Sequence, residues 1–177
     1  FDSEFLQKYN DITKLETISI DPPNCLDIDD ALSIQDISNN IKKIGIHIAD
    51  ASAFSEKFNL DLILQKRSYT IYCPHKKINM FPNIISDNLA SLKQDNDRLT
   101  LTLWIEIDND DNLKYYFERC IINNKKKMTY DGSQKKLSQN KTLKNLYTAS
   151  HRFAKIIKYK HTDDWDMHKM IECYMIM

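Results

Sequence analysis

The chain has 177 residues, 42% hydrophobic and 28% charged, enough for one domain with its own core. No run of about eighteen or more apolar residues occurs, which excludes a membrane-spanning helix. Its 25 basic and 25 acidic residues cancel, which argues weakly against a nucleic-acid protein, but acid gathers at 21–30 and base at Lys125, Lys126, Lys127, Lys135 and Lys136, so a neutral total can hide an acidic pocket beside a basic track.

The chain begins Phe1-Asp2-Ser3-Glu4, with no initiator Met, basic n-region or apolar h-region, and reads as an excised fragment. Ile18 and Ile20 alternate with polar neighbours over 14–20, which predicts a strand. Pro22-Pro23 cannot sit in a central ladder and opens an acidic segment. A second strand is expected over 31–37 and a third through Ile44, Ile46 and Ile48. Ser38-Asn39-Asn40 turns the chain between them, making a hairpin. The chain then leaves the sheet over 49–54, and a helix is expected over 59–66. Residues 68–74 are β-prone and closed by Pro74, and 86–92 reads as a helix. The clearest strand is LTLTLWIEI at 99–107, returning after a turn at 108–112 as a partner over 113–123. Segment 123–142 is the most polar stretch and is expected to be a flexible basic loop. An amphipathic helix follows over 140–158, with Leu143, Leu146, Phe153 and Ala154 on one face. Another runs over 166–177 and stops inside its apolar pattern, as if cut short. There is no internal repeat, and 1–177 reads as a single partial domain.

Cys25, Cys73, Cys120 and Cys173 form no CxxC pair, which argues against a zinc ribbon and for a reducing, intracellular compartment, cytoplasm or nucleus. No HExxH occurs. His161 and His168 are spaced to share a helix face, where a surface or core histidine is the ordinary outcome. With Gly45 and Gly132 as its only glycines, the chain has no GxGxxG, phosphate-cradling loop or GxSxG elbow.

Chemistry concentrates in DPPNCLDIDDA, where Asp21, Asp27, Asp29 and Asp30 crowd together. Like charges this close must be hydrated, protonated or neutralised by cations. In an extended segment Asp27 and Asp29 share a face and Ile28 points the other way, into a core. Asp30 joins them if the chain bends, and Asp21 if it doubles back at Pro22-Pro23. Oxygen ligands alone suit Mg²⁺ or Mn²⁺ rather than zinc, and two such ions serve in-line displacement at a phosphodiester. A calcium EF-hand fails at the third ligand and at the glycine. A hydrated acidic surface loop remains the alternative on composition and spacing alone.

Asp21 to Ala31 resembles the signature of the ribonuclease II family catalytic domain, the RNB domain. Three more stretches agree in order. Gly45 to Ser52 (GIHIADAS) resembles G-V-H-I-A-D-V-S. Arg67 to Pro74, then Ile78 to Pro82, resembles R-G-x-S-x-Y-L-P followed by I-P-M-L-P. Leu89 to Leu99 resembles L-C-S-L-x-P-x-x-D-R-L. Weaker similarity continues through Met128-Thr129-Tyr130-Asp131 to Ile171-Glu172, where the family has V-E-E.

The resemblance implies an α+β fold, a mixed, largely antiparallel curved sheet flanked by helices. It implies a Mg²⁺- or Mn²⁺-dependent hydrolytic exoribonuclease that degrades single-stranded RNA from the 3′ end to 5′-mononucleotides, with no DNA substrate expected. An RNA-degrading complex is a possible partner. By the same resemblance Asp21 and Asp30 hold metal, Asp27 supports coordination and Asp29 is most needed for the chemical step. Tyr72 and Tyr130 match RNA-contacting tyrosines, and a stacked ring accepts any base. Glu172 and Arg98 are further RNA-binding candidates, with an ion pair to Asp97 or Asp95 the alternative for Arg98. His47 and Asp50 are held only as supports of the site. Ser68 stands where the family has glycine, and Cys173 where many relatives have a second glutamate. The family's remaining catalytic half, with its arginine, and its flanking OB-type domains are not evident. Two other readings stay open: an inactive RNA-binding module on the same fold, and a general Mg²⁺ phosphohydrolase.

Overall fold

Five strands with alternating patterns build the frame of the computed structural model, which describes residues 1–159 and 164–176. They are β2 (Thr17–Asp21), β3 (Asp30–Ser38), β4 (Ile41–Ala49), β7 (Asp97–Asp108) and β8 (Leu113–Thr129). A two-residue β1 (Asn10–Asp11) lies beside β8, giving the order β1-β8-β2-β3-β4-β7, and β7 also pairs with β8, so the sheet closes on itself. The long β8 makes closure possible. Its first part pairs antiparallel with β7 from Leu113 to Asn123, and its last part pairs parallel with β2 from Asn124 to Thr129. Every other pairing among the five is antiparallel. The expected largely antiparallel curved sheet is observed.

Closure sorts the side chains by parity. On the outer face, Ile18, Ile20, Leu32, Ile44, Ile46, Ile105 and Ile107 are buried under two helices, α5 (Lys141–Ile156) and α6 (Met167–Met175). Asn140 caps α5 by accepting from the Leu143 amide, and Asp166 caps α6 by accepting from that of Lys169. The inner face carries Ala31, Trp104, Cys120 and Ile122 together with a polar chain. There His47 Nε2 meets Ser33 Oγ at 2.8 Å and Nδ1 meets Thr102 Oγ1 at 2.9 Å, and Thr102 meets Thr100 at 3.1 Å. Gly45 makes room for this: a Cβ there would lie 2.6 Å from Ser33 Oγ and 2.7 Å from the His47 ring.

The connections depart from expectation in four places. After a short α1 (Ser3–Leu6), residues 51–58 form a helix, α2 (Ala51–Phe58), before the expected one at α3 (Asp61–Arg67). Asp50 starts α2 by accepting from the Ala53 amide at 3.1 Å. The β-prone segment becomes β5 (Ile71–Cys73), paired with an unforeseen β6 (Lys76–Ile78) in a separate hairpin, and the expected helix at 86–92 is a single π-helical turn over Ile85–Leu89. The flexible basic loop expected over 123–142 is not a loop. Its first part continues β8 to Thr129, and α4 (Tyr130–Lys136) follows, capped by Thr129 Oγ1 accepting from the Gly132 amide. The ladder with β2 and a cap outweigh local polarity there. His161 and Met177 lie outside the described residues, as does the rest of 160–163.

No glycine takes a positive φ. Asn24, Asn59, Ser68, Asp95, Asp111 and Lys158 do so instead. Ser68, where the family motif has glycine, ends α3 at φ 59°. The substitution therefore carries backbone strain.

Candidate metal and RNA site

The acidic segment is held from both sides. β2 ends at Asp21, opposite Thr129. The chain turns at Pro23-Asn24, with Asn24 at φ 63° and the Cys25 amide donating to the Pro22 carbonyl at 3.3 Å. Ile28 is 1% exposed. Its amide donates to Ser91 Oγ at 3.0 Å, its carbonyl accepts from the Leu92 amide at 2.8 Å, and Ser91 Oγ donates to the Leu26 carbonyl at 2.8 Å. The Ala49 amide secures the Asp29 carbonyl at 2.9 Å. Fixing Ile28 inward turns Asp27 and Asp29 outward, as the alternation predicted.

Both line a cavity of about 330 Å³ whose wall includes Tyr72, Lys77, Asn79 and Phe81. Tyr72 is 77% exposed, so its ring is open to a ligand and not packed in the core. Lys77 pairs with the Asp27 carboxylate, and its Nζ lies 5.8 Å from the Tyr72 ring centre. Burial alone would lower the Lys77 pKa, but the hydrogen bond and charge of Asp27 hold it raised. Asn79 is buried and its Nδ2 reaches Asn83, Ser86 and Asp87, while its Oδ1 finds no partner among the described residues.

Asp21 and Asp30 are less accessible. Desolvation raises the Asp21 carboxyl above its usual range, against Ser19 and Lys127, and Asp29 and Asp27 add to it. Desolvation, then the charges of Asp21 and Asp29, push Asp30 up to about 6. The Asp29 carboxyl is raised by desolvation in the cavity wall and by Asp27, opposed by Lys77. Burial raises the Tyr130 phenol, and Asp30 and Asp21 raise it further, which sets this ring beside the cluster. One face of Tyr130 is stacked on His168 at 3.8 Å and 9°.

The donor set is carboxylate oxygen alone. Among the described residues Asp21 Oδ2 is buried without a hydrogen-bond partner, and the carboxyls of Asp21, Asp29 and Asp30 resist ionisation. A hard divalent cation relieves each of these penalties, so the residues fit Mg²⁺ or Mn²⁺. The expected convergence of four carboxylates into a ready ligand shell is not observed. Among the described residues no three His, Cys, Asp or Glu side chains stand in a ligating group. The physical reason is visible at Asp27, whose carboxylate is turned to Lys77.

Other candidates sit elsewhere. Arg98 makes no ion pair to Asp97 or Asp95 among the described residues. Its guanidinium donates to the carbonyls of Ser91 (2.9 Å), Asp97 (2.9 Å) and Asn88 (3.4 Å), bracing the loop that holds Ile28. Glu172 is exposed on α6 and hydrogen-bonds Tyr159. Asp50 accepts from Tyr9 at 2.7 Å, caps α2 and pairs with Arg119 at 3.6 Å. That role and the inner-face burial of His47 are architectural. Sequence reasoning missed Lys77, Asn79 and Ser91, and placed Lys127 only in a basic run. Each lies within or next to a matched motif, but none carries a periodic or spacing signal, because β5–β6 folding and strand pairing bring them in.

A model of the RNB domain matches residues 9–173. The chain is 36% identical over 160 residues to exosome complex exonuclease RRP44 of Mus musculus, covering 88% of this chain and 17% of that protein. It is 34% identical over 133 residues to inactive exonuclease DIS3L2 of Arabidopsis thaliana, covering 74% of this chain and 13% of that protein. Among solved structures, Mycoplasma genitalium RNase R in complex with ribose-methylated single-stranded RNA superposes with a TM-score of 0.82. The identity is 22%, covering 99% of this chain and 33% of that one, and at this level the likeness shows the fold alone. The chain thus spans about a sixth of the length of the RRP44 relatives it matches.

Proposed function

The chain belongs to the RNB-domain family, and from that premise we propose that it forms the metal-binding part of a hydrolytic exoribonuclease acting on single-stranded RNA from its 3′ end and releasing 5′-mononucleotides. The observation that carries this reading is one wall that joins Asp27 and Asp29 to an exposed Tyr72, with Asp21 and Asp30 raised in pKa behind it.

Asp21, Asp29 and Asp30 would hold Mg²⁺ or Mn²⁺, which supplies an activated water and charge stabilisation at the leaving oxygen. The chain's own residues do the rest. Tyr72 offers a ring face to a terminal base irrespective of its identity. Lys77 sets an ammonium between that ring and Asp27, where it attracts a phosphate and restrains Asp27. Tyr130 lies within the field of Asp30 and Asp21. Ser91, through Ile28, keeps Asp27 and Asp29 facing the cavity. Relatives of this kind work in an exosome complex by name, so association with an RNA-degrading assembly in the cytoplasm or nucleus belongs to the same proposal.

The absence of a formed ligand shell among the described residues and the similarity to an inactive exonuclease favour a second reading, an RNA-binding module without hydrolysis. Incubation of the chain with 3′-labelled single-stranded RNA and Mg²⁺ separates them. Mononucleotide release abolished by Asp29→Asn supports the exonuclease. RNA binding with no release in either form supports the binding module. Hydrolysis of small phosphoesters without RNA cleavage points to a general phosphohydrolase.

A further inference from the structure

The basic residues singled out in the sequence are not used by the carboxylate site, yet four lysines meet around one cavity. Lys126 and Lys127 of β8, Lys136 at the end of α4 and Lys141 at the start of α5 line a space of about 640 Å³, with Glu16 its one acidic residue. Glu16 is already engaged. It pairs with Lys126 at 2.6 Å and accepts from Thr142 at 2.7 Å. Lys127 donates to the Cys25 carbonyl at 2.5 Å. Lys136 and Lys141 are exposed, and among the described residues neither makes an ion pair or side-chain hydrogen bond.

Stability does not explain this arrangement. Lys141 is the first residue of α5, where the helix dipole disfavours a cation, and the first turn of that helix contains no acid. Lys126 and Lys127 are consecutive in a strand that pairs with β2, a position that ordinarily selects β-branched or aromatic residues. The chain as a whole is neutral, so the positive field is a local concentration. A cavity this size with net positive walls suits a chain of phosphates better than a single small anion.

Lys127 fixes which chain. Its ammonium holds the carbonyl of Cys25, in the loop between Asp21 and Asp27, and its charge acts on Asp21 itself. Lys127 therefore ties the basic cavity to the loop that carries the carboxylates. A polymer with a phosphate on every residue can lie in the first while its end rests at the second, whereas an acidic peptide has no partner among the carboxylates. We propose that this lysine cavity binds the sugar-phosphate backbone of single-stranded RNA, upstream of the 3′ end held at the carboxylate site. The proposal rests on reading that site as one that receives RNA.

Fluorescence anisotropy with 5′-fluorescein oligouridylates of about four and about twelve nucleotides tests it, in EDTA so that no hydrolysis intervenes. Lys136→Ala/Lys141→Ala is expected to weaken binding of the longer RNA about tenfold near 0.1 M salt and to reduce the salt slope by about 1.4, two charges at ~0.7 each for a single strand. Binding of the shorter RNA stays unchanged, and Lys136→Arg/Lys141→Arg retains wild-type affinity. Equal loss for both lengths, no loss for the longer one, or equal displacement of RNA by a polyglutamate peptide overturns the proposal. Since both lysines are exposed, misfolding does not confuse the result. A parallel incubation with Mg²⁺ reads hydrolysis separately: a chain that binds through these lysines but never cleaves loses the exonuclease reading and keeps this one.

Discussion

Two polar clusters lie within this fold, one around His47 and one around Asp21 and Asp30, and they are satisfied to opposite degrees. Both His47 ring nitrogens have partners, at 2.8 and 2.9 Å. The Thr100 hydroxyl closes the chain on the Cys120 carbonyl at 3.2 Å. The carboxylates instead leave Asp21 Oδ2 buried and unpaired and repel one another. A buried network with every donor and acceptor matched stabilises and specifies a fold. A buried acid with an unpaired oxygen raises the free energy of the fold until something binds. Residues of the same motif-bearing strands and loops thus divide into architecture and site by satisfaction, not by polarity.

The sharpest break of that contrast is at Asp29. Asp29→Asn is expected to reduce Mg²⁺-dependent RNA degradation by at least ~100-fold, while the unfolding midpoint stays within a degree or two. Loss of fold with loss of activity in this variant sinks the assignment. Calorimetry or circular dichroism alongside the assay reads both.

His47 is expected to behave in the reverse way. His47→Leu leaves the Ser33 and Thr102 hydroxyls without their buried partner, at about 2–4 kcal/mol and roughly 5–15 °C in Tm. The pH dependence has a defined sign. Burial pushes the His47 pKa from 6.5 down to about 3, so the folded protein keeps it neutral while the unfolded chain protonates it. Its stabilisation is complete above pH 6.5 and is lost as pH falls toward 3, at about 1.4 kcal/mol per pH unit. Between pH 6.5 and 5, wild type should lose more stability than His47→Gln, measured by denaturant titration. Parallel curves would show that the histidine titrates freely in the fold.

Asp30 tests the unsatisfied cluster through stability alone. With its folded pKa raised to about 6, the ionised carboxylate penalises the metal-free fold above that pH, and the penalty fades as pH falls from 6 toward 3.8. Asp30→Asn should therefore raise Tm at neutral pH in EDTA by about 3–6 °C, for about 1–2 kcal/mol after allowance for partial exposure. Mg²⁺ is expected to raise the Tm of wild type and to leave that of this variant unchanged. A lower Tm in EDTA would mean that the carboxylate is a structural partner after all.

The smallest effect belongs to backbone strain away from both clusters. Ser68→Gly relieves a non-glycine residue at φ 59°, and is expected to add about 0.5–1 kcal/mol, or roughly 2–4 °C. An unchanged or lower Tm would place the serine's hydrogen bond to the Gln65 carbonyl, 3.0 Å long, above the strain.

Much of the frame was legible because it is written in local periodicity. The 99–107 alternation and the face of Leu143, Leu146 and Phe153 lead directly to β7 and α5. Ile28 between two aspartates leads to an inward apolar residue and two outward acids. The reading failed where partners overrode composition. The lysine-rich 123–129 is strand because β2 lies beside it, and α2 exists because Asp50 caps it and Tyr9 and Arg119 hold that cap.

The sequence by itself determined the family, the parity of the strands and the identity of four crowded carboxylates, since each is a property of neighbours along the chain. Only the tertiary structure decided what those carboxylates face. Lys77 reaches Asp27 across 50 residues and Lys127 reaches Cys25 across 102, through a hairpin and a parallel ladder that no local pattern announces. Charge repulsion can be read from spacing. Its compensation depends on strand closure that pairs the ends of distant segments.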